Sequence, residues 1–245
     1  MKLSVLAVLV LLPACSSKED DFPIGPGPGN IGSGGGIDAS IKDAPSDTPL
    51  LIDANIFTGR VCLAADPSNL LMCAATGAGG LTVRLGTGVT TTAADGSFTI
   101  PGQSGSNLVW SVTGATIVSS YKPLSDFQIP AILTADFDTL KTNNMVTVLP
   151  GQGSVMVTVV RNGSGFAGVA ATSNPTAAYA PFYDTTGSST GPWSRVSTGA
   201  NGTVWLPGLN VGAATVTAMP GPGQISTPSL PIIDGAITFA TITFP

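Results

Sequence analysis

Thr92-Ala-Ala-Asp95-Gly96-Ser-Phe98-Thr-Ile100-Pro101-Gly102 returns without gaps 106 residues later as Thr198-Gly-Ala-Asn201-Gly202-Thr-Val204-Trp-Leu206-Pro207-Gly208. Each copy has a Thr, two small residues, an Asx-Gly step, alternating apolar residues and a closing Pro-Gly. Asx-Gly is a strong hairpin signal, because glycine tolerates positive φ and Asp or Asn tolerates it better than most residues do. The alternation that follows places Phe98 and Ile100 on one face of an extended chain, as in a half-buried strand. Reading outward, Ile56–Leu63 and Leu81–Leu85 precede the first copy as strands, and Leu108–Thr113 follows it. Around the second copy, Met156–Val160 corresponds to Arg60–Leu63, Gly168–Thr172 to Gly80–Leu85, and Ala214–Ala218 to Leu108–Thr113. Order and approximate spacing hold across four strands, so the chain carries two related β units in tandem.

Composition agrees with an all-β fold. Charged residues are only 9% of the chain, with 31 Gly, 20 Pro and no His, and β-branched residues are common. Strand, variable loop, strand, Thr-x-x-Asp-Gly-x-Phe-x-Ile-Pro-Gly and an aromatic-containing strand together resemble the carboxypeptidase regulatory-like domain, a transthyretin-like sandwich. The first copy is similar over about Phe57 to Thr113. The second is similar over about Ser154 to Ala218, with a long insertion from Asn174 to Arg195. The resemblance implies seven-stranded, two-sheet Greek-key units that serve as spacers, appendages or binding platforms. It implies no shared catalytic residues.

Ahead of these units the sequence has a different character. Lys2 opens an apolar run, Leu3–Leu12, that ends in Pro13-Ala14-Cys15. A basic start, an apolar core of about 7–15 residues and a small residue before the cut form a secretory signal. Leu12-Pro13-Ala14-Cys15 resembles the bacterial lipobox, which implies that Cys15 becomes the lipidated first residue of the mature chain. Ser16 after Cys15, in place of Asp, fits outer-membrane sorting in some bacterial groups. Residues 15–54 read as a flexible tether. Gly25-Pro-Gly-Pro-Gly29 and Gly32-Ser-Gly-Gly-Gly36 cannot bury a core. As a Gly-rich coil the tether would reach roughly 35 Å. The expected organisation is therefore signal peptide 1–14, lipidated Cys and tether 15–54, first sandwich with trailing linker 55–149, and second sandwich 150–245.

The net charge of −5 is concentrated in the tether, where Glu19, Asp20, Asp21, Asp38, Asp43, Asp47 and Asp53 outnumber Lys18 and Lys42. From residue 55 onward acids and bases nearly balance. No basic stripe exists to neutralise a row of phosphates, so nucleic-acid binding is not expected. Membrane attachment rests on lipid. Setting Cys15 aside leaves Cys62 and Cys73 as an even pair in an exported chain, for which a disulfide is the favoured reading. Two buried thiols or half a zinc site are the alternatives.

Chemistry is sparse. Without His there is no Ser-His or Cys-His couple, and neither Lys122 nor Lys141 follows a Ser-x-x-Lys pattern. Asp136 and Asp138 read as solvated linker acids, with Asp138 a possible cap for a short helical turn. No cofactor, metal or catalytic residue is expected. Asn162-Gly-Ser and Asn201-Gly-Thr match a glycosylation sequon but read as hairpin turns. The insertion with Tyr179, Phe182, Tyr183, Trp193 and Arg195 is the one segment with the look of a ligand loop. Its rings either form a platform for a glycan or peptide or cap the domain's own open end, and both readings stay open. The favoured function is a non-enzymatic envelope lipoprotein acting as an adhesion, scaffold or interaction module. The alternative is a carbohydrate-binding lipoprotein serving an envelope polysaccharide system.

Overall fold

The structure is a computed structural model that describes residues 56–245 apart from 75, 77, 104, 186–188 and 222. The expected signal peptide and tether, including Cys15, lie outside the described residues. The first half contributes β1 (Ile56–Leu63), β2 (Thr82–Leu85), β3 (Gly88–Thr91), β4 (Ser97–Pro101), β5 (Val109–Thr113), β6 (Ser120–Pro123) and β7 (Gln128–Ala131). Helix α1 (Thr134–Asn143) follows. The second half contributes β8 (Gln152–Arg161), β9 (Ser164–Gly165), β10 (Ala170–Asn174), β11 (Phe182–Tyr183) and β12 (Thr203–Asn210). It ends with β13 (Gly212–Met219), β14 (Ile225–Ser226), β15 (Leu230–Ile232) and β16 (Ile237–Phe244). Among the described residues the fold is all-β apart from one short helix, as the composition predicts.

Each half is a two-sheet sandwich. In the first, strands ordered β4-β1-β7 face strands ordered β3-β2-β5-β6. Val61, Val83, Leu85, Phe98, Ile100, Trp110, Val112 and Ile129 fill the space between them. In the second, β12-β8-β16 faces β10-β13-β14, with β15 also paired to β13, and Val155, Val157, Val159, Val204, Leu206, Val216 and Ile242 form the core. Alternate residues of each strand point inward, which is why period-2 patterning locates them.

The repeated motif performs the same structural task twice. Thr92 Oγ1 donates to the Ala78 carbonyl and accepts from Leu81 N–H, while Thr198 Oγ1 donates to the Phe166 carbonyl and accepts from Val169 N–H. Gly96 and Gly202 both have positive φ (85° and 70°). Their carbonyls accept from Val61 N–H and Val159 N–H, and a Cβ at either glycine would run into the Val61 or Val159 carbonyl. Glycine is required there on both counts. This pairing makes Val159 the counterpart of Val61. The first-strand correspondence read from sequence, Arg60 with Met156, is therefore displaced by two residues.

The two halves share more than a linker. Ile237 and Thr238 of β16 pair in parallel with Ser120 and Tyr121 of β6, so one continuous sheet runs β11-β12-β8-β16-β6-β5-β2-β3. A third core lies on the far side of the second sandwich's sheet, away from its own interior. There Met156, Trp205 and Phe239 meet Val118, Ile132, Phe137, Leu140, Phe182 and Trp193. Because β8 and β12 are covered on both faces, they read as nearly unbroken apolar runs.

The segment expected as a brief linker after Ala131 is instead a ten-residue helix. Asp138 is no cap: the cap position is Leu133, which makes no side-chain cap bond, and Asp138 pairs with Lys141 at 2.8 Å one turn on. Phe137 and Leu140, three residues apart on one face, hold the helix against the third core, and Phe137 sits edge-on to Trp205 at 5.8 Å. Packing forms this helix, since its sequence is otherwise Thr- and Asp-rich. Phe137→Ala should cost about 3–5 kcal/mol. For a chain of this size that lowers Tm by roughly 10 °C. A calorimetric melt of the full chain checks it.

Candidate functional site

The insertion is anchored from its first residues. Tyr179 Oη accepts from Thr147 N–H at 3.0 Å. Phe182 and Tyr183 form β11, which adds to the edge of β12 with Phe182 opposite Trp205 and Tyr183 opposite Val204. Alternation then sends the rings to different cores, Tyr183 into the second sandwich and Phe182 into the third core. Tyr183 Oη accepts from Ala171 N–H at 2.9 Å. Trp193 is 5% exposed and lies edge-on to Trp205 at 6.2 Å, while Phe182 lies 5.0 Å from Trp205. The Arg195 guanidinium stacks 3.4 Å from the centre of the Phe182 ring and donates to the Ala180 carbonyl.

The proposed aromatic platform is therefore corrected. The faces of Phe182, Tyr183 and Trp193 are spent on the protein's own interior, which is the capping arrangement, and Arg195 covers the outer face of Phe182. No stacking surface is built from these rings, because burying an aromatic side chain is worth more to the fold than leaving it in water.

A residue that the sequence did not single out holds the loop in place. Asp184 is 2% exposed, and its Oδ1 accepts from Gly199 N–H (3.0 Å) and Thr203 N–H (2.8 Å). Its Oδ2 accepts from Asn201 N–H at 2.9 Å. In the first half, the N–H of Ser97 instead bonds to Asp95 of its own turn. The second turn has Asn201 in that place, and the Asn201 side chain donates to Ser68 Oγ in the first half. Asp184 supplies the missing carboxylate from the insertion.

A groove of about 610 Å³ lies between the outward faces of the two sandwiches. Thr58 and Arg60 of β1 and Gln128 and Pro130 of β7 form one wall; Thr158 and Val160 of β8 and Phe239 and Thr241 of β16 form the other. Leu70 and Leu71 reach in from the loop closed by the Cys62–Cys73 disulfide, whose Cα atoms are 4.9 Å apart. Phe127 and Leu71 remain substantially exposed at its rim, at 46% and 43%. The charged side chains here are already engaged. Buried Lys122 Nζ donates to both Asp126 oxygens (2.6 and 2.7 Å) and to the Gln128 carbonyl, and Arg60 Nε donates to the Asp95 carbonyl. Sequence reasoning missed the groove because its walls meet only in the tertiary fold. The apolar Leu70-Leu71-Met72 run inside a disulfide loop was the one available signal.

Among the described residues, no three His, Cys, Asp or Glu side chains cluster as metal ligands, and no helix is long and apolar enough to cross a membrane. No family model and no curated protein matches the chain. Among solved structures, a Streptococcal ancillary pilin is similar at 14% identity and a TM-score of 0.26, over 77% of this chain and 68% of that one.

Burial pushes the Asp184 carboxyl above the usual carboxylate value, opposed by the N–H groups of Asn201, Gly199 and Thr203. A value raised by folding means stability that is full below the unfolded value of about 3.9 and lost as pH rises through the folded one. Asp184→Ala strands one buried and two partly buried N–H groups and should cost on the order of 3 kcal/mol. Measured as Tm against pH, the deficit relative to wild type should be larger at about pH 4 than at about pH 8.

Proposed function

We propose that this chain is a non-enzymatic lipoprotein of the bacterial cell envelope, sorted to the outer membrane and held there by lipid on Cys15. Its tandem sandwiches act as an adhesion, scaffold or interaction module, in keeping with the resemblance to carboxypeptidase regulatory-like domains. The observation that carries this reading is the placement of Leu12-Pro13-Ala14-Cys15 immediately behind an apolar signal core. Three further features support it. The Cys62–Cys73 disulfide fits an oxidising compartment. The Gly/Pro-rich composition of residues 15–54 suits a spacer between lipid and body. The rigid β body presents an open, largely apolar groove whose charged groups are already paired, a surface suited to a polypeptide partner rather than to an ionic substrate. The carbohydrate-binding alternative drew its support from the rings of the insertion, of which Phe182, Tyr183 and Trp193 are buried and Tyr179 is half-buried.

Two lipid signals anchor a protein stably where one gives only marginal binding, so a thiol-linked plus an amide-linked chain on Cys15 should hold the protein in the detergent phase on extraction. Cys15→Ala should move it to the aqueous phase or leave the precursor uncleaved. Mass spectrometry of the mature N-terminus reads the modification directly, and an unmodified Cys15 would sink the anchor.

A further inference from the structure

Strand β16 is paired on one side throughout and on the other only at its start. Along its full length, Ile237 to Phe244, it runs parallel to β8. On its opposite edge it meets β6 at Ile237 and Thr238 alone. There the two strands part, because β6 turns away with Lys122 and Pro123 paired to Trp110 and Val109 of β5. The wedge opened by this divergence is part of the groove, which Phe239, Ala240 and Thr241 line.

Hydrogen-bond direction shows which groups the wedge leaves open. Ile237 N–H donates to the Ser119 carbonyl on the β6 side, whereas the Ala236 carbonyl accepts from Ser154 N–H on the β8 side. Backbone groups alternate sides along a strand. The Thr238–Tyr121 pairing uses the Phe239 N–H, so the groups that point to the unpaired edge are the Phe239 carbonyl and the N–H and C=O of Thr241 and Thr243. Nothing along this edge discourages pairing. Between Ala236 and Pro245 there is no charge and no proline, and the ladder with β8 runs without a register shift. Neighbouring edges are blunted: β6 ends in Pro123, β7 carries Pro130, and β11 and β14 are two residues long.

We propose that β16 is a strand-addition site: an extended, uncharged segment of a partner polypeptide pairs with the Phe239 carbonyl and the backbone of Thr241 and Thr243 and fills the groove. The proposal rests on the interaction-module reading and names the chemistry of its partner. Backbone groups at strand spacing are matched by another extended backbone, and a main-chain ladder with side chains seated in adjacent pockets is a known recognition mode. Alternate side chains of the added strand would face Leu70, Leu71, Phe127 and Val160, so they are apolar. The groove is walled by the first sandwich, which admits a single strand where the edge of a second folded body would meet Phe127 and Leu71.

Hydrogen exchange on the full-length protein tests the idea residue by residue, using as probe a peptide of alternating Thr and Val flanked by lysines for solubility. In the free protein, amides of Thr241 and Thr243 should exchange at least about tenfold faster than those of Ala240 and Ile242, which bond to β8. Adding the peptide should protect those two saturably. Thr241→Pro, which removes an N–H from the open edge and none from the β8 ladder, should weaken binding at least about tenfold. Equal protection of all four amides in the free protein would overturn the proposal, whatever the variant does. So would the absence of saturable protection by the peptide, or protection that instead grows with protein concentration alone, which would mark self-pairing. The readout is independent of lipid on Cys15, so site and anchor can fail separately.

Discussion

The backbone bond from Ile237 to Ser119 is the junction on which the rest of the architecture depends. Two sandwiches with separate cores could hang as beads on a linker. Pairing β16 with β6 makes their sheets continuous and lays the outer face of β12-β8-β16 against the first half. That face is apolar because Met156, Trp205 and Phe239 project from it, and apolar surface of this extent is costly to leave in water. Helix α1 and the insertion close over it from two sides. The third core is thus a consequence of the junction, and so is the groove, which is the part of the same interface that no element fills.

Much of the body was legible because its signals are local. An Asx-Gly step and period-2 alternation each have a short-range cause, and the Thr three residues before each Asx, Thr92 and Thr198, proves to do the same work in both halves. What was illegible has non-local causes. Helix α1 has no side-chain cap and only Phe137 and Leu140 buried, so nothing in its own sequence overcomes the cost of helix nucleation. The nearly unbroken apolar run Val155–Val160, interrupted only by Thr158, is compatible with burial on both faces, but nothing in it says what would cover the second face. The aromatic insertion looks the same in sequence whether its rings face solvent or cap a core. Only the pairing of β11 with β12 decides, by sending Phe182 and Tyr183 to opposite sides of the sheet.

The two homologous turns show how duplicated units diverge without losing their geometry. Ser97 N–H finds its acceptor within the turn, at Asp95, and the Ser97 hydroxyl bonds there too. Those two bonds hold the exposed Asp95 carboxyl below the usual value. The first turn's contribution is therefore present above the ordinary carboxylate range and lost as pH falls through the lowered value. In the second turn the carboxylate comes from Asp184 and is buried, so its value moves the other way. Freed from that task, Asn201 reaches across to Ser68. An Asp-to-Asn difference between repeats thus converts a self-contained turn into one tied to both the insertion and the other half.

The same duplication explains why β16 stands open. Its counterpart in the first half is β7, which runs parallel to β1 as β16 runs parallel to β8. β7 is only four residues long and contains Pro130, so it presents little edge. β16 extends for eight residues with no such device. Exposed strand edges are usually shortened, charged or interrupted, because an unprotected one pairs with whatever extended chain it meets. Here the first two residues of the edge are already used to fuse the halves. Whatever preserves a regular, uncharged β16 for that junction also carries the unpaired edge onward into the groove. A charge or proline placed early enough to protect the edge would fall beside the Ile237–Ser119 bond and threaten the joint. One placed later, at Thr241 or Thr243, would spare it. The side chains at both positions are exposed and neither supports a core. Folding alone therefore gives no reason for the edge to stay unblunted there, whereas recruitment of a partner strand does.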